Sequence, residues 1–184
     1  MALMSRADAL ELINREVTNK NLRKHMLAAE AVMRAMAARL GQDAELWRLA
    51  GLLHDCDYDR TAQEPARHAV LGAEMLDALG LPPELTHAVK AHAEKAPVES
   101  ALDKALWCVD PTTGFIVSCA LIRPEKKLAI VDVAFIKNRM NEKGFSRAVN
   151  RDRIKACEAL GLPLDEFLQI ALDAMKAISG EMGL

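Results

Sequence analysis

Apolar and polar positions recur with a helical period along most of this 184-residue chain. Leu10, Ile13 and Val17 mark one side of a first helix. Ser5 supplies its cap, and Asp8, three residues later, resembles the partner in a capping box. A second helix starts near Asn19 or Asn21, follows Leu22, Met26, Ala29, Met33, Met36 and Leu40, and stops at Gly41. Asp43 caps a third helix, with Leu46, Leu49, Ala50 and Leu53 inward, which ends on His54 and Asp55. Pro65 suits the first turn of a fourth helix, whose Val70, Leu71, Met75, Leu76 and Leu79 lead to Gly80. Leu81-Pro82-Pro83 opens a fifth helix and Pro97 closes it. Ser100 caps a sixth, whose stripe of Leu102, Ala105, Leu106 and Val109 runs up to Asp110. Pro111 and Gly114 predict a kink or break before the apolar run at 115–122. Beyond Pro124 three more helices are expected, capped by Asp132, capped by Asn150 and opened by Pro163. The pattern predicts an all-α, compact multi-helix bundle of about eight to nine helices, forming a single domain over 1–184.

Composition agrees with that reading. Hydrophobic residues make up 51% of the chain, ample for a core, while aromatics are only 4%, which favours helices over strands. A formal net charge of −2 and a pI near 6.2 give no electrostatic footprint for a nucleic-acid polymer. The four cysteines, Cys56, Cys108, Cys119 and Cys157, show no C-x-x-C spacing and read as reduced, mostly buried thiols of a cytosolic protein. Residues 1–10 lack the pattern of a signal peptide, and the run at 115–122 is too short to span a bilayer. The expectation is a cytoplasmic protein without a membrane partner, with a homodimer left open.

Asp55-x-Asp57-x-Asp59 invites a calcium-loop reading, but the sixth position is Arg60 and the twelfth Ala66, where such a loop requires Gly and Glu. The stronger chemistry lies in a set spread over successive helices: His25, His54, Asp55, His68, His92 and Asp110. All sit near inward-facing stripes, and an unpaired carboxylate there is costly. Imidazoles with carboxylates suit divalent Fe, Mn, Co, Ni or Zn. Two ions sharing one carboxylate would use every ligand. His87 is rotated off the face that carries Leu85, Ala88 and His92, and reads as a surface residue. A late basic cluster, Lys137, Arg139, Lys143, Arg147, Arg151 and Arg153, offers cations for an anionic substrate.

These residues resemble the HD superfamily of metal-dependent phosphohydrolases. That family's pattern is an early His, an adjacent His-Asp after an apolar helix, and a late Asp. Here these are His25, Leu52-Leu53-His54-Asp55 and Asp110. Its two-metal branches add two histidines, matched by His68-x-x-x-Gly72-Ala73 and Val89-x-x-His92. The likeness runs from about Asn21 to Asp110; the segment after Asp110 is similar only to an uncharacterised bacterial subgroup. The resemblance implies a metal-binding core at about 21–123 with the C-terminal helices of 124–184 packed on it. It implies one ion held by His25, His54, Asp55 and Asp110, with Asp55 bridging to a second held by His68 and His92. His54 and Asp55 are then the catalytic pair, and hydroxide activated between two cations attacks a small nucleotide or phosphoester.

Many relatives continue His-Asp with Ile-Gly-Lys, whereas this chain has Cys56-Asp57-Tyr58. The absent lysine removes a phosphate contact, and Arg60, Lys90, Arg139 and Arg151 are the candidates to replace it. Two other classes use the same scaffold: a di-iron oxygenase, for which Tyr58 near the site is the relevant feature, and a non-catalytic ligand-binding or signalling domain.

Overall fold

The computed structural model describes residues 3–184, and among these it contains helices and turns but no strand. Local cap chemistry sets most helix starts. Ser5 accepts the Asp8 amide at the head of α1 (Arg6–Glu16), and Asn19 accepts the Asn21 and Leu22 amides at the head of α2 (Lys20–Leu40). Asp43 does the same for α3 (Ala44–Leu53). Ser100 and Asp103 form a reciprocal capping box on α7 (Ala101–Leu121). Asp132 caps α8 (Val133–Met140), and Asn150 caps α9 (Arg151–Lys155), which tightens into a 3-10 turn up to Gly161. Between α3 and α7 lie α4 (Tyr58–Thr61), α5 (Val70–Ala78) and α6 (Pro83–His92), and the chain closes with α10 (Leu164–Ala177) and α11 (Ser179–Met182). Among the described residues, eight of these helices have eight residues or more; α4, α9 and α11 are single turns.

The centre of the bundle is α3. Every residue from Leu46 to Leu53 is buried, so the helix is enclosed rather than amphipathic. It packs most extensively against α2, and also against α6, α1 and α7. Gly51 permits the close approach to α2: a Cβ there would stand 2.6 Å from the Ala29 carbonyl oxygen. Arg48 of α3 and Arg6 of α1 converge on buried Glu30 of α2 at 3.3 and 2.7 Å, pinning three helices with charge-assisted bonds. The C-terminal helices pack back on this unit, α10 along α2 and α9 along α7.

Three expectations are corrected. Pro65 does not open a helix: residues 62–69 form successive turns and α5 starts at Val70. The reason is Asp57, whose buried Oδ2 takes the amides of Ala69 (2.8 Å) and Gly72 (2.9 Å) and so caps α5 from a distant turn. Ala69 enters at φ +65, a left-handed conformation uncommon for alanine, which interrupts any helix running in from Pro65. Second, α6 ends at His92, well before Pro97, with Glu94 turning at φ +61.

Third, α7 runs unbroken through Pro111 and Gly114. Proline removes the N–H that would bond the Trp107 carbonyl. Arg153 Nε, reaching over from α9, donates to that carbonyl at 3.3 Å and replaces the missing donor. Asp110 is therefore mid-helix. His87 is half-buried, with Nδ1 3.2 Å from Asp103, and lies apart from the other four histidines.

Candidate metal centre

Five chain segments deliver six side chains, His25, His54, Asp55, His68, His92 and Asp110, to one place. His25 lies in the second turn of α2, and His54 follows the last residue of α3 with Asp55 next to it. His68 sits in the turn before α5, His92 is the last residue of α6, and Asp110 projects from the middle of α7. The Asp55 carboxylate stands between two pairs of imidazoles. Its Oδ2 is 3.4 Å from His54 Nε2 and 3.7 Å from His25 Nε2. Its Oδ1 is 3.4 Å from both His68 Nε2 and His92 Nε2. Asp110 Oδ1 closes the first side, 3.3 Å from His25 Nε2 and 3.9 Å from His54 Nε2. Ligand atoms of His25, His54 and Asp110 lie within 4.8 Å of one another, as do those of His54, Asp55 and His92.

Every one of the four rings is held by its other nitrogen. His54 Nδ1 donates to the Gly51 carbonyl at 2.8 Å, and His92 Nδ1 donates to the Val89 carbonyl. His68 Nδ1 donates to Asp57 Oδ1 at 3.0 Å. Thr113 spends its hydroxyl proton on the Asp110 carbonyl (3.0 Å), so its oxygen accepts from His25 Nδ1 at 2.9 Å. With all four protons at Nδ1, the Nε2 lone pairs face inward, the tautomer a metal ligand requires. His25 Nε2 and His54 Nε2 approach to 3.1 Å. Two lone pairs at that distance repel unless a proton or a cation lies between them, so the donor set fits a divalent cation by its own geometry.

The electrostatics agree. Burial alone would lower the pKa of His54, but the charges of Asp55 and Asp110 and a hydrogen bond to Asp55 outweigh it, raising it to about 9. Burial acts on His68 in the same direction, and Asp57 and Asp55 again reverse it, raising its pKa. Burial opposes ionisation of Asp55, yet His54 and His92 hold it well below the carboxylate range; His25 and His54 do likewise for Asp110. The site binds positive charge by construction. The buried thiols of Cys56 and Cys108 are pushed up by desolvation and are inert as nucleophiles.

A cavity of about 300 Å³ opens over this cluster, lined by Asp55, Tyr58, His68, His92, Ala93, Glu94, Asp110 and Arg153. A larger hollow of about 580 Å³ between α2 and α10 is lined by five alanines and by Arg6, Glu30, Arg34 and Glu181, with no histidine in its wall. None of the four cations expected to meet phosphate lines the 300 Å³ cavity. Arg60 pairs with Glu16 at 2.5 Å, and Lys90 is outside the wall. Arg139 pairs with Glu142 and stacks on Phe135. Arg151 stacks on Phe115 and gives its donors to the carbonyls of Phe145, Ser146 and Val149. Arg153, a neighbour in the same cluster, is the cation that does line it. The supporting roles of Asp57 and Thr113 also escape a reading by ligand pattern. Their signal was an extra carboxylate two residues after Asp55 and a hydroxyl one helical turn after Asp110.

The HD domain family model matches residues 22–143, and the chain belongs to that family. Over 98 residues it is 34% identical to Ribonuclease Y of Oleidesulfovibrio alaskensis. Over 96 residues it is 32% identical to Ribonuclease Y of Nitratidesulfovibrio vulgaris, and over 96 residues 31% identical to that of Geobacter sulfurreducens. Each match takes 52% of this chain and 18% of the relative, so the chain spans less than a fifth of the length of these relatives. No solved structure matches it significantly. No helix among the described residues is long and apolar enough to cross a membrane.

Proposed function

We propose that this chain is a metal-dependent phosphohydrolase that cleaves a small nucleotide or phosphoester in the cavity over Asp55. The observation that carries the reading is the placement of Asp55, one oxygen toward His25 and His54 and the other toward His68 and His92. His25, His54, Asp55 and Asp110 would hold one ion, and Asp55, His68 and His92 a second, each from Fe, Mn, Co, Ni or Zn. Such ions, when bound, supply Lewis acidity toward phosphoryl oxygens and lower the pKa of bound water toward neutrality.

The chain's own groups do the rest. Gly51, Val89, Asp57 and Thr113 fix the four rings so that no rotation accompanies binding. Asp55 stays ionised between the two imidazole pairs. Among the described residues the cavity wall contains no serine, threonine or cysteine, which suits attack by water rather than by a protein nucleophile.

The name of the relatives favours a second reading, hydrolysis of phosphodiesters in RNA, which is the same bond chemistry on a polymer. The cavity of about 300 Å³, the acidic Glu94 at its wall and the net charge of −2 support the smaller substrate. Metal analysis of the purified protein, followed by assays with added Mn²⁺ on nucleoside monophosphates, cyclic dinucleotides and short RNA, tests both. Turnover of a small phosphoester that falls to background in Asp55→Asn is expected. A fully metal-loaded protein that hydrolyses none of these overturns the proposal, and turnover of RNA alone replaces it with the second reading.

A further inference from the structure

We infer that Arg153 is the cation that receives the phosphoryl oxygen of the substrate; the inference rests on the phosphohydrolase reading. Arg153 comes from α9, outside the region matched by the family model. Among the described residues it is the one lysine or arginine in the wall of the cavity over Asp55, where the other charged groups besides histidine are Asp55, Asp110 and Glu94. A phosphoryl group entering that cavity meets three carboxylates and a single guanidinium, so besides any bound metal ion Arg153 is the cationic side chain of the wall, histidines apart, that can receive it.

The side chain is built to hold still. Its guanidinium lies 3.9 Å over the Trp107 ring. Nε donates to the Trp107 carbonyl at 3.3 Å, the acceptor that Pro111 leaves without a helical partner. Nη2 donates to the His92 carbonyl at 3.0 Å and to Asp110 Oδ2 at 3.2 Å. Arg153 thereby holds the outer oxygen of Asp110 while Oδ1 faces His25. Nη1 makes none of these bonds, and the side chain keeps 18% of its surface exposed. The fork is anchored on two atoms and leaves a third for a ligand. An arginine clamped in this way has lost its conformational entropy before a substrate arrives.

A purely structural arginine would tie α9 to α7 without influencing anion binding. Titration of inorganic phosphate into protein saturated with Mn²⁺ separates the two, with metal content measured in the same samples. Arg153→Met keeps the aliphatic stem over Trp107, and Arg153→Lys keeps the charge without the fork. Arg151→Met is the control, because Arg151 also anchors backbone carbonyls but lies outside the cavity. The inference expects Arg153→Met to weaken phosphate binding by about 10-fold to 100-fold at equal Mn²⁺ content, the worth of a hydrogen bond to a charged group. Arg153→Lys recovers part of the loss and Arg151→Met leaves phosphate affinity unchanged. Unaltered affinity in Arg153→Met overturns the inference and leaves the phosphohydrolase reading standing. So does a loss fully accounted for by a lower measured Mn²⁺ content of Arg153→Met, or an equal loss in Arg151→Met. A wild-type protein that carries Mn²⁺ yet binds no phosphate overturns both.

Discussion

Asp57 Oδ1 accepts the Nδ1 proton of His68 at 3.0 Å while its other oxygen accepts the amides of Ala69 and Gly72. One buried carboxylate thus starts α5 and orients the His68 imidazole, whose Nε2 stands 3.4 Å from Asp55. Gly72 is part of the same device, since a Cβ there would stand 3.2 Å from the Asp57 carboxyl carbon. Asp57→Asn can still accept an amide proton but offers weaker acceptance to His68. We expect metal affinity at the His68–His92 side to fall by about 10-fold to 100-fold, the usual cost of losing the partner of a ligating histidine. Competition against a chromophoric chelator measures it. Unchanged affinity would assign Asp57 to α5 alone.

The approach of α3 to α2 is set by one missing side chain. In Gly51→Ala the new Cβ would meet the Ala29 carbonyl oxygen at 2.6 Å and the Glu30 nitrogen at 2.9 Å, backbone atoms that cannot swing away. The helices must part, at a cost of about 1–3 kcal/mol and a melting temperature lower by about 3 °C or more. Gly114→Ala is the contrasting case. It lies inside α7 with nothing within 4 Å of the added Cβ, and should gain up to about 1 kcal/mol from helix propensity. Thermal melts of the two variants decide; equal shifts would show that the contact at Ala29 relaxes freely.

How far the fold can be read from the chain depends on the range of the signal. Ser5, Asn19, Asp43, Ser100, Asp132 and Asn150 all cap helices because their partners lie two or three residues away. Pro111 and Pro65 mislead because what decides their surroundings is distant. Arg153 supplies the donor that Pro111 lacks, and Asp57 caps the helix that Pro65 was expected to begin. The convergence of His25, His54, Asp55, His68, His92 and Asp110 was legible because the whole set resembles a family pattern; apolar stripes alone point to the others but not to His68, which lies in a turn. Which of the late arginines faces the cavity was not. Arg139, Arg151 and Arg153 are alike in sequence, and only packing reveals that the first two serve Glu142 and the carbonyls of residues 145–149.

Asp59 links the turn after the centre to the junction of α1 and α2. Its Oδ2 accepts the Thr18 amide at 2.6 Å, the Thr18 hydroxyl at 2.7 Å and the Asn19 amide at 3.4 Å. The Thr18 hydroxyl, then the Thr18 amide, lower its pKa below the ordinary 3.8. A carboxyl whose folded-state pKa is depressed adds stability above the unfolded value and loses it as pH falls through the folded one. Acid should therefore release this tether, seen as faster hydrogen exchange at the Thr18 and Asn19 amides below the ordinary carboxyl range. Asp59→Ala should show the faster exchange already at neutral pH. Exchange in the wild type that is independent of pH, after correction for the intrinsic rate, would show that the tether does not govern the junction.

Protons and metal ions compete for the same Nε2 atoms. Without metal, His54 has a pKa near 9, because Asp55 and Asp110 outweigh the burial that opposes its charge. That value lies above the 6.5 of an unfolded histidine. Protonated His54 therefore stabilises the metal-free fold below about pH 6.5, and the contribution disappears as pH rises through about 9. A metal ion requires the neutral ring, so uptake between these two values expels the proton and metal affinity climbs with pH. Two measurements test the linkage. The melting temperature of chelator-treated protein should fall across that window, while saturating Mn²⁺ should reverse the trend. Calorimetric titration of Mn²⁺ at neutral pH should give heats that vary with the ionisation enthalpy of the buffer, reporting a released proton. Heats that do not depend on the buffer, together with a flat melting profile for the metal-free protein, would mean that His54 is already neutral beside Asp55 and that the centre is held in its binding form without an ion.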